Sequence, residues 1–135
     1  MKAATVACSL ALAGLAGCSL GEEEKPKPAA GPAREVGEVV RQLERAVARG
    51  DWQTVCDDVF TAAARRRAGG DDCPRLLRSD AAGVRSPRIE PLAITVKKGG
   101  AEVRVRSRAR GQRAITEVIE LRREGAEYRV EALRG

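Results

Sequence analysis

Hydrophobic and polar positions in the first half of the chain alternate with the spacing of an α-helix. One face of the segment that begins near Arg34 is apolar, and glutamate, arginine and glutamine side chains occupy the opposite face. The apolar positions are Val36, Val39, Val40, Leu43 and Val47. Gly50 follows this run, where the left-handed backbone that glycine readily adopts ends a helix. The pattern therefore predicts an amphipathic first helix that packs on a core.

Shorter helical segments are predicted to follow. Asp51 is placed to cap a second helix, whose apolar stripe includes Trp52 and Cys56. We expect both of these side chains to be buried, with Trp52 between this helix and the sheet. Two more helices are predicted, at 62–68 and from Cys73 onward, the latter capped by Asp72.

The second half of the chain changes to the two-residue period of β-strands. Four strands are predicted, at 89–96, 101–108, 114–123 and after Gly125, with glycines at the turns between them. On the last strand, Tyr128, Val130 and Ala132 are predicted to face the core. Helices followed by an antiparallel meander indicate an α+β fold with the helices packed on one face of the sheet.

The chain begins with the layout of a secretory signal. One cation, Lys2, precedes a short apolar run that ends in Leu15-Ala16-Gly17-Cys18. This lipobox resembles the bacterial lipoprotein signal, which implies cleavage before Cys18 and acylation of that cysteine. A transmembrane anchor is the alternative, but the run is shorter than the roughly 20 residues that span a bilayer, and Ser9 interrupts it. We expect residues 1–17 to be a signal peptide and Cys18 to anchor the protein to the extracytoplasmic face of the cell membrane.

Composition changes again after Cys18. Charged residues and proline dominate up to Pro32, and this part of the chain has no apolar periodicity. Residues 18–33 are therefore predicted to be a lipidated cysteine and a tether, and residues 34–135 a single domain. The tether would hold the domain off the membrane.

The four cysteines have different predicted fates. Cys8 leaves with the signal peptide and Cys18 takes the lipid, so Cys56 and Cys73 remain. Outside the cytoplasm such a pair more often forms a disulfide than stays free. A metal site and a redox-active pair are the alternatives. The chain has no histidine and no Cys-x-x-Cys pair to complete either. We expect one structural disulfide, and neither a metal nor another cofactor.

Several motifs together resemble a known family. They are Ala48-Arg49-Gly50-Asp51-Trp52 at the end of the first helix, the Gly99-Gly100 turn before Ala101-Glu102-Val103-Arg104-Val105, and the closing run from Leu121 to Val130. The chain resembles small lipoproteins of high-GC Gram-positive bacteria. Their cone-shaped, cystatin-like domain is shared by nuclear transport factor two, ketosteroid isomerase and the SnoaL cyclases. The resemblance implies a curved sheet. That fold hosts enzymes and non-enzymes alike, so function does not follow from it.

Catalytic chemistry has few candidate residues. Without histidine, the commonest general base is absent, and so are nucleophiles that depend on a histidine partner. Glu117 shares a predicted face with apolar residues, where a carboxylate could act as a base, and Tyr128 could donate a hydrogen bond into the same cavity. The alternatives are that Glu117 turns outward or pairs with an arginine, and that Tyr128 is simply core. We predict that the protein is not an enzyme.

A formal charge of +6 raises the question of anionic partners. Arg104, Arg106 and Arg108 alternate along one predicted strand and would form an exposed basic face. An ion-pair ladder with Glu120 or Glu131 on neighbouring strands is the alternative. An exported chain with one tryptophan, one tyrosine and one phenylalanine is a poor candidate for nucleic-acid binding. We expect a monomer or weak dimer whose partners are the membrane, through Cys18, and an envelope protein or anionic polymer.

Two functions follow as hypotheses. The first is a non-catalytic binding module of the cell envelope that uses its arginine face. The second is a carrier or enzyme that holds a small apolar ligand in the cone cavity near Glu117 and Tyr128.

Overall fold

The computed structural model describes residues 29–135, in which a helical layer precedes a four-stranded sheet. The α-helices are α1 (Pro32–Arg49), α2 (Trp52–Thr54), α3 (Ala62–Arg67) and α4 (Cys73–Asp80). A π-helical turn (Val55–Val59) and a 3₁₀ turn (Gly70–Asp72) connect them. The signal peptide, Cys18 and most of the predicted tether lie outside the described residues.

Helix α1 confirms the apolar stripe and extends it. The helix begins at Pro32, two residues before the predicted boundary, because proline is well suited to the first helical turn. Val36, Val40 and Leu43 are buried as predicted, and Ala46 is buried as well. Gly50 ends the helix in a left-handed conformation, and its N–H bonds back to the last turn.

The second predicted helix consists of a short α-helix, α2, followed by the π-helical turn. Asp51 caps it as predicted, because its carboxylate accepts hydrogen bonds from the N–H and the hydroxyl of Thr54. From Val55 the chain widens into the π-helical turn, which closes with a 2.9 Å bond from the N–H of Phe60 to the carbonyl oxygen of Val55. Asp72 precedes α4, but its side chain makes no capping bond. Its carboxylate instead lies 3.2 Å from Arg75, which corrects the predicted cap.

The sheet is an antiparallel meander in the order β1-β2-β3-β4. Its strands are β1 (Arg88–Lys97), β2 (Gly100–Arg108), β3 (Ile115–Glu124) and β4 (Glu127–Arg134). Together with the helices packed on one face, this arrangement confirms the predicted α+β class. The register shifts in β1 between Pro91 and Ala93, and where β3 meets β4 at Glu120 and Leu121.

The second shift changes which side chains of β4 face the helices. Leu121 pairs with Val130 and Glu120 pairs with Ala132, so Glu131 is the extra residue. Ala132 therefore shares a face with Glu120 and not with the buried Val130. The predicted inward orientation of Ala132 is wrong, because one extra residue reverses the alternation beyond it.

The core lies between α1, the π-helical turn and the inner face of the sheet. Its strand residues include Val103, Val105 and Ile119, which are completely buried. Gly100 is needed where β2 meets β3, because a Cβ at that position would lie 2.5 Å from the carbonyl oxygen of Leu121. No helix in residues 29–135 has the length and apolar character needed to cross a membrane.

The segment after the π-helical turn pairs with the outer edge of β4. Phe60 forms an isolated parallel bridge with Val130, and the N–H of Thr61 donates a 2.9 Å hydrogen bond to the Val130 carbonyl oxygen. Thr61 is buried and also caps α3 through its hydroxyl. The helical layer is thus joined to the sheet by backbone bonds as well as by apolar packing.

Candidate functional site

A disulfide between Cys56 and Cys73 holds the helical layer together, as predicted. The bond joins the π-helical turn to the first residue of α4, with the two Cα atoms 6.2 Å apart. Both cysteines are buried. The disulfide therefore links the π-helical turn to α4 covalently, in the buried part of the helical layer.

The three arginines of β2 form an exposed row on the outer face of the sheet. We call Arg104, Arg106 and Arg108 the arginine stripe; all three side chains are exposed. Their register partners include Glu90, whose carboxylate lies 3.6 Å from Arg108. Within residues 29–135, neither Arg104 nor Arg106 lies within ion-pair distance of a carboxylate.

Several other charges on the outer face of the sheet are paired. Lys97 lies 2.5 Å from Glu102, and Arg134 makes ion pairs with both Glu102 and Glu120. A hydrogen bond from Lys97 lowers the pKa of Glu102. The alternative, an ion-pair ladder between Glu120 and the stripe, is therefore absent from the described ion pairs, because Glu120 is bound to Arg134.

Glu131 also has other partners than the stripe. The hydroxyl of Thr61 donates a 2.5 Å hydrogen bond to its carboxylate, and Arg67 lies 3.1 Å from the other oxygen. The bond from Thr61, followed by the contact with Arg67, holds the pKa of Glu131 below its ordinary value. Glu131 therefore links β4 to the two ends of α3 and has a structural role.

The two predicted pocket residues lie far apart on the sheet, with Glu117 near the start of β3 and Tyr128 on β4, beside the other end of β3. Glu117 pairs with Val105, whereas Tyr128 pairs with Arg123 six residues further along the strand. The partly buried carboxylate of Glu117 accepts a 2.8 Å hydrogen bond from the Ser107 hydroxyl. The structure does not bring Glu117 and Tyr128 together.

Tyr128 is a core residue covered by an arginine. The guanidinium of Arg123 lies 4.7 Å from the ring centroid and donates a 3.0 Å bond to Glu35. A side-chain hydrogen bond with Tyr128 is the main cause that raises the pKa of Arg123, and Glu35 adds to it. Tyr128 belongs to the main hydrophobic cluster, as its core interpretation predicted.

A groove of about 640 Å³ lies beside Tyr128, between the start of α1 and the β3–β4 turn. We call it the acidic groove, because four carboxylates line it: Glu35, Glu38, Asp58 and Glu127. Several of them are bound to arginines, since Glu38 pairs with Arg41 at 2.6 Å and Glu35 pairs with Arg123. The hydrogen bond from Arg41 lowers the pKa of Glu38.

Two adjoining grooves at the other end of α1 were not predicted. One, of about 440 Å³, lies between the end of α1, Trp52 and the chain after α4. The other, of about 260 Å³, lies between that chain, the start of β1 and the β2–β3 turn. They share Val47, Val84 and Pro87. Trp52 is only partly buried and lines the first groove, which corrects the expectation that it is buried between its helix and the sheet.

The sequence could not show these grooves, because their walls come from segments far apart in the chain. A hydrogen bond of 2.7 Å from the N–H of Arg110 to the carbonyl oxygen of Arg85 joins the β2–β3 turn to the chain after α4. In the sequence, these walls correspond to two separate short segments, near Val84 and near Ile115, in which apolar residues stand beside arginines. Neither segment indicates by itself that the two meet in a groove.

Within residues 29–135, no cluster of three or more cysteine or carboxylate side chains is placed to hold a metal ion. Comparison with known proteins adds no further assignment. No protein-family model matches the chain, and a search of curated proteins finds no match.

Proposed function

We propose that this protein is a membrane-anchored extracytoplasmic lipoprotein whose domain is a non-catalytic binding module for an anionic polymer of the cell envelope. The anchor is Cys18, which directly follows the small residues of the lipobox. The binding surface is the arginine stripe. The observation that carries the proposal is the exposure of Arg104 and Arg106 without a carboxylate partner in the described part of the chain.

The geometry of a β-strand suits a repeating anionic ligand. Alternate residues of a strand lie on one face, roughly 7 Å apart, so the stripe presents a row of positive charges at regular spacing. Each guanidinium can make paired hydrogen bonds to a carboxylate or phosphate. A polymer can contact all three arginines at once, which makes binding multivalent and sensitive to salt.

We also place the domain, as part of this proposal, in the cone-shaped fold named above. Support comes from the order of elements, with helices before a four-stranded meander, and from the bulges in β1 and β4. A bulge bends its strand and increases the local twist. Bending of both outer strands favours a sheet that curves around α1.

The second hypothesis, a ligand held near Glu117 and Tyr128, has less support. It needs the two side chains in one cavity, whereas Glu117 lies near the start of β3 and Tyr128 lies on β4, beside the other end of β3. Glu117 is not part of the groove that Tyr128 lines.

Binding can be tested with the full chain reconstituted in phosphatidylcholine vesicles and polyphosphate as the probe. The test variant carries R104Q, R106Q and R108Q. The matched control carries R34Q, R66Q and R75Q, which removes the same charge from exposed arginines elsewhere. We expect about tenfold weaker binding or more in the test variant, and at most a twofold change in the control. Equal losses in both would show a general charge effect and overturn the assignment to the stripe.

The anchor is tested separately in cells. Labelling with a palmitate analogue should mark the parent chain and disappear in Cys18→Ser. Cys8→Ser is the control, because it removes a thiol from the predicted signal peptide and should leave labelling intact. Label that persists in Cys18→Ser would remove the lipoprotein assignment without affecting the polymer assay.

A further inference from the structure

The two grooves at the end of α1 form one continuous surface with apolar walls. We call it the arginine-rimmed groove. Ile115 is 51% exposed and Val84 is 38% exposed, although both are large aliphatic side chains. Partly buried Val47, Trp52 and Ile89 line the same surface. When a ligand covers apolar side chains that are grouped in a concave site and removes them from water, the free energy of the system falls.

The rim of this groove is cationic. Five arginines contribute to its walls: Arg49, Arg78, Arg88, Arg108 and Arg113. Among residues 29–135, no carboxylate lines either part. The nearest acidic contacts are long, with Arg88 at 3.9 Å from Glu44 and Arg108 at 3.6 Å from Glu90.

We propose that the arginine-rimmed groove binds a free fatty acid, with the acyl chain against the apolar walls and the carboxylate at the arginine rim. An apolar body would leave the arginines without a counter-ion, and a small polar anion would leave the aliphatic side chains exposed. An amphiphile matches both. The groove runs past Val47, Val84 and Pro87 from one part to the other, which fits an extended chain better than a compact ring.

This inference does not rest on the polymer-binding proposal. The arginine stripe lies on the outer face of the sheet, whereas the apolar walls of the groove come from the end of α1, the chain after α4 and the β2–β3 turn. Only Arg108 belongs to both surfaces. The test below therefore uses Arg88 and Arg113, so that failure of one proposal leaves the other standing.

The chain carries its own reporter for this site. Trp52 is the single tryptophan and lines the groove. The full chain is reconstituted in phosphatidylcholine vesicles and titrated with dodecanoate below its micelle concentration, while Trp52 emission is recorded. Dodecanol, which has the same chain length and no charge, is titrated in parallel. We expect a saturable blue shift with dodecanoate, and about tenfold weaker binding of dodecanol.

Variants decide which residues carry the binding. R88Q with R113Q should weaken dodecanoate binding about tenfold and leave dodecanol binding unchanged, whereas R34Q with R66Q should change neither. Ile115→Ser should weaken both ligands. Far-UV circular dichroism and the urea midpoint of each variant establish that it is folded.

Three results would overturn the proposal. The first is no saturable change in Trp52 emission. The second is equal affinity for dodecanoate and dodecanol. The third is a Trp52 shift of the same size when phosphatidylglycerol replaces part of the phosphatidylcholine and no dodecanoate is present. That last result would assign the groove to lipid head groups of the membrane surface.

Discussion

Arginine serves different purposes on two sides of this domain. On one side, which we call the stapled side, the segment 55–73 packs against β4. There Arg67 contacts Glu131, and Arg129 donates a 2.8 Å bond to the carbonyl oxygen of Asp57. On the other side, the arginine stripe and the arginine-rimmed groove present exposed guanidinium groups.

The two sides differ in what remains unsatisfied when an arginine is substituted. On the stapled side, arginines satisfy a half-buried carboxylate and backbone carbonyls, so each substitution leaves a polar group without its partner. Arg104 and Arg106 are exposed to solvent, and their removal leaves no partner group unsatisfied in the described part of the chain. Stability and binding are therefore expected to respond to different arginines.

The largest effect should come from the disulfide on the stapled side. Cys56→Ser or Cys73→Ser opens a loop of 17 positions, which the chain-entropy model values at about 3 kcal/mol of unfolding free energy. Urea denaturation of the oxidised protein measures the loss, with Cys18→Ser as the control. Equal stability of Cys56→Ser and the control would show that the staple adds nothing to this side.

A smaller effect is expected at Glu131. Glu131→Gln removes the charge from the hydrogen bonds with Thr61 and Arg67, at a cost of about 1–2 kcal/mol. Glu127→Gln, on the same strand but exposed, is the matched control and should change stability by less than about 0.5 kcal/mol. If the two variants lose equally, the contrast between fastened and exposed carboxylates is wrong.

The same carboxylate makes stability depend on pH in a defined direction. Because the folded protein holds the pKa of Glu131 below the ordinary 4.5, its contribution is complete above that pH and is lost as the pH falls toward the folded pKa. The stability difference between the parent and Glu131→Gln should shrink below pH 4.5. Urea midpoints at pH 7, 5, 4 and 3 follow it, and a difference that grows in acid would contradict the assignment.

The smallest effect on stability is expected on the arginine side. R104Q and R106Q together should change the unfolding free energy by less than about 0.5 kcal/mol, because surface substitutions away from fixed contacts usually do. A large loss in thermal unfolding would mean that the stripe is structural, and it would weaken the polymer-binding proposal.

The sequence predicted the elements well where one periodicity runs unbroken. Helix α1 repeats its apolar positions over about three turns, and β2 alternates strictly from Ala101 to Arg106, so the pattern located both elements. The pairing of Cys56 with Cys73 also followed from counting the cysteines.

Other features depend on contacts that a local pattern does not contain. The extra residue Glu131 reverses the face of Ala132, yet nothing near it in the sequence marks a bulge. The partners of Arg104 and Glu120 depend on strand register. The arginine-rimmed groove forms only when α1, the chain after α4 and the ends of three strands meet, so its residues could not be grouped in advance.

The bridge between Phe60 and Val130 also affects how copies of the domain behave when they are crowded. Strands at the rim of a sheet can recruit strands of neighbouring molecules, which is a common start of aggregation. Here the segment at Phe60 and Thr61 already occupies part of the β4 rim. On the β1 rim, Pro91 lacks an N–H, and the register shift beside it interrupts a regular ladder. Both edges of the sheet therefore disfavour pairing with a strand of another molecule, which would reduce aggregation when molecules are closely spaced.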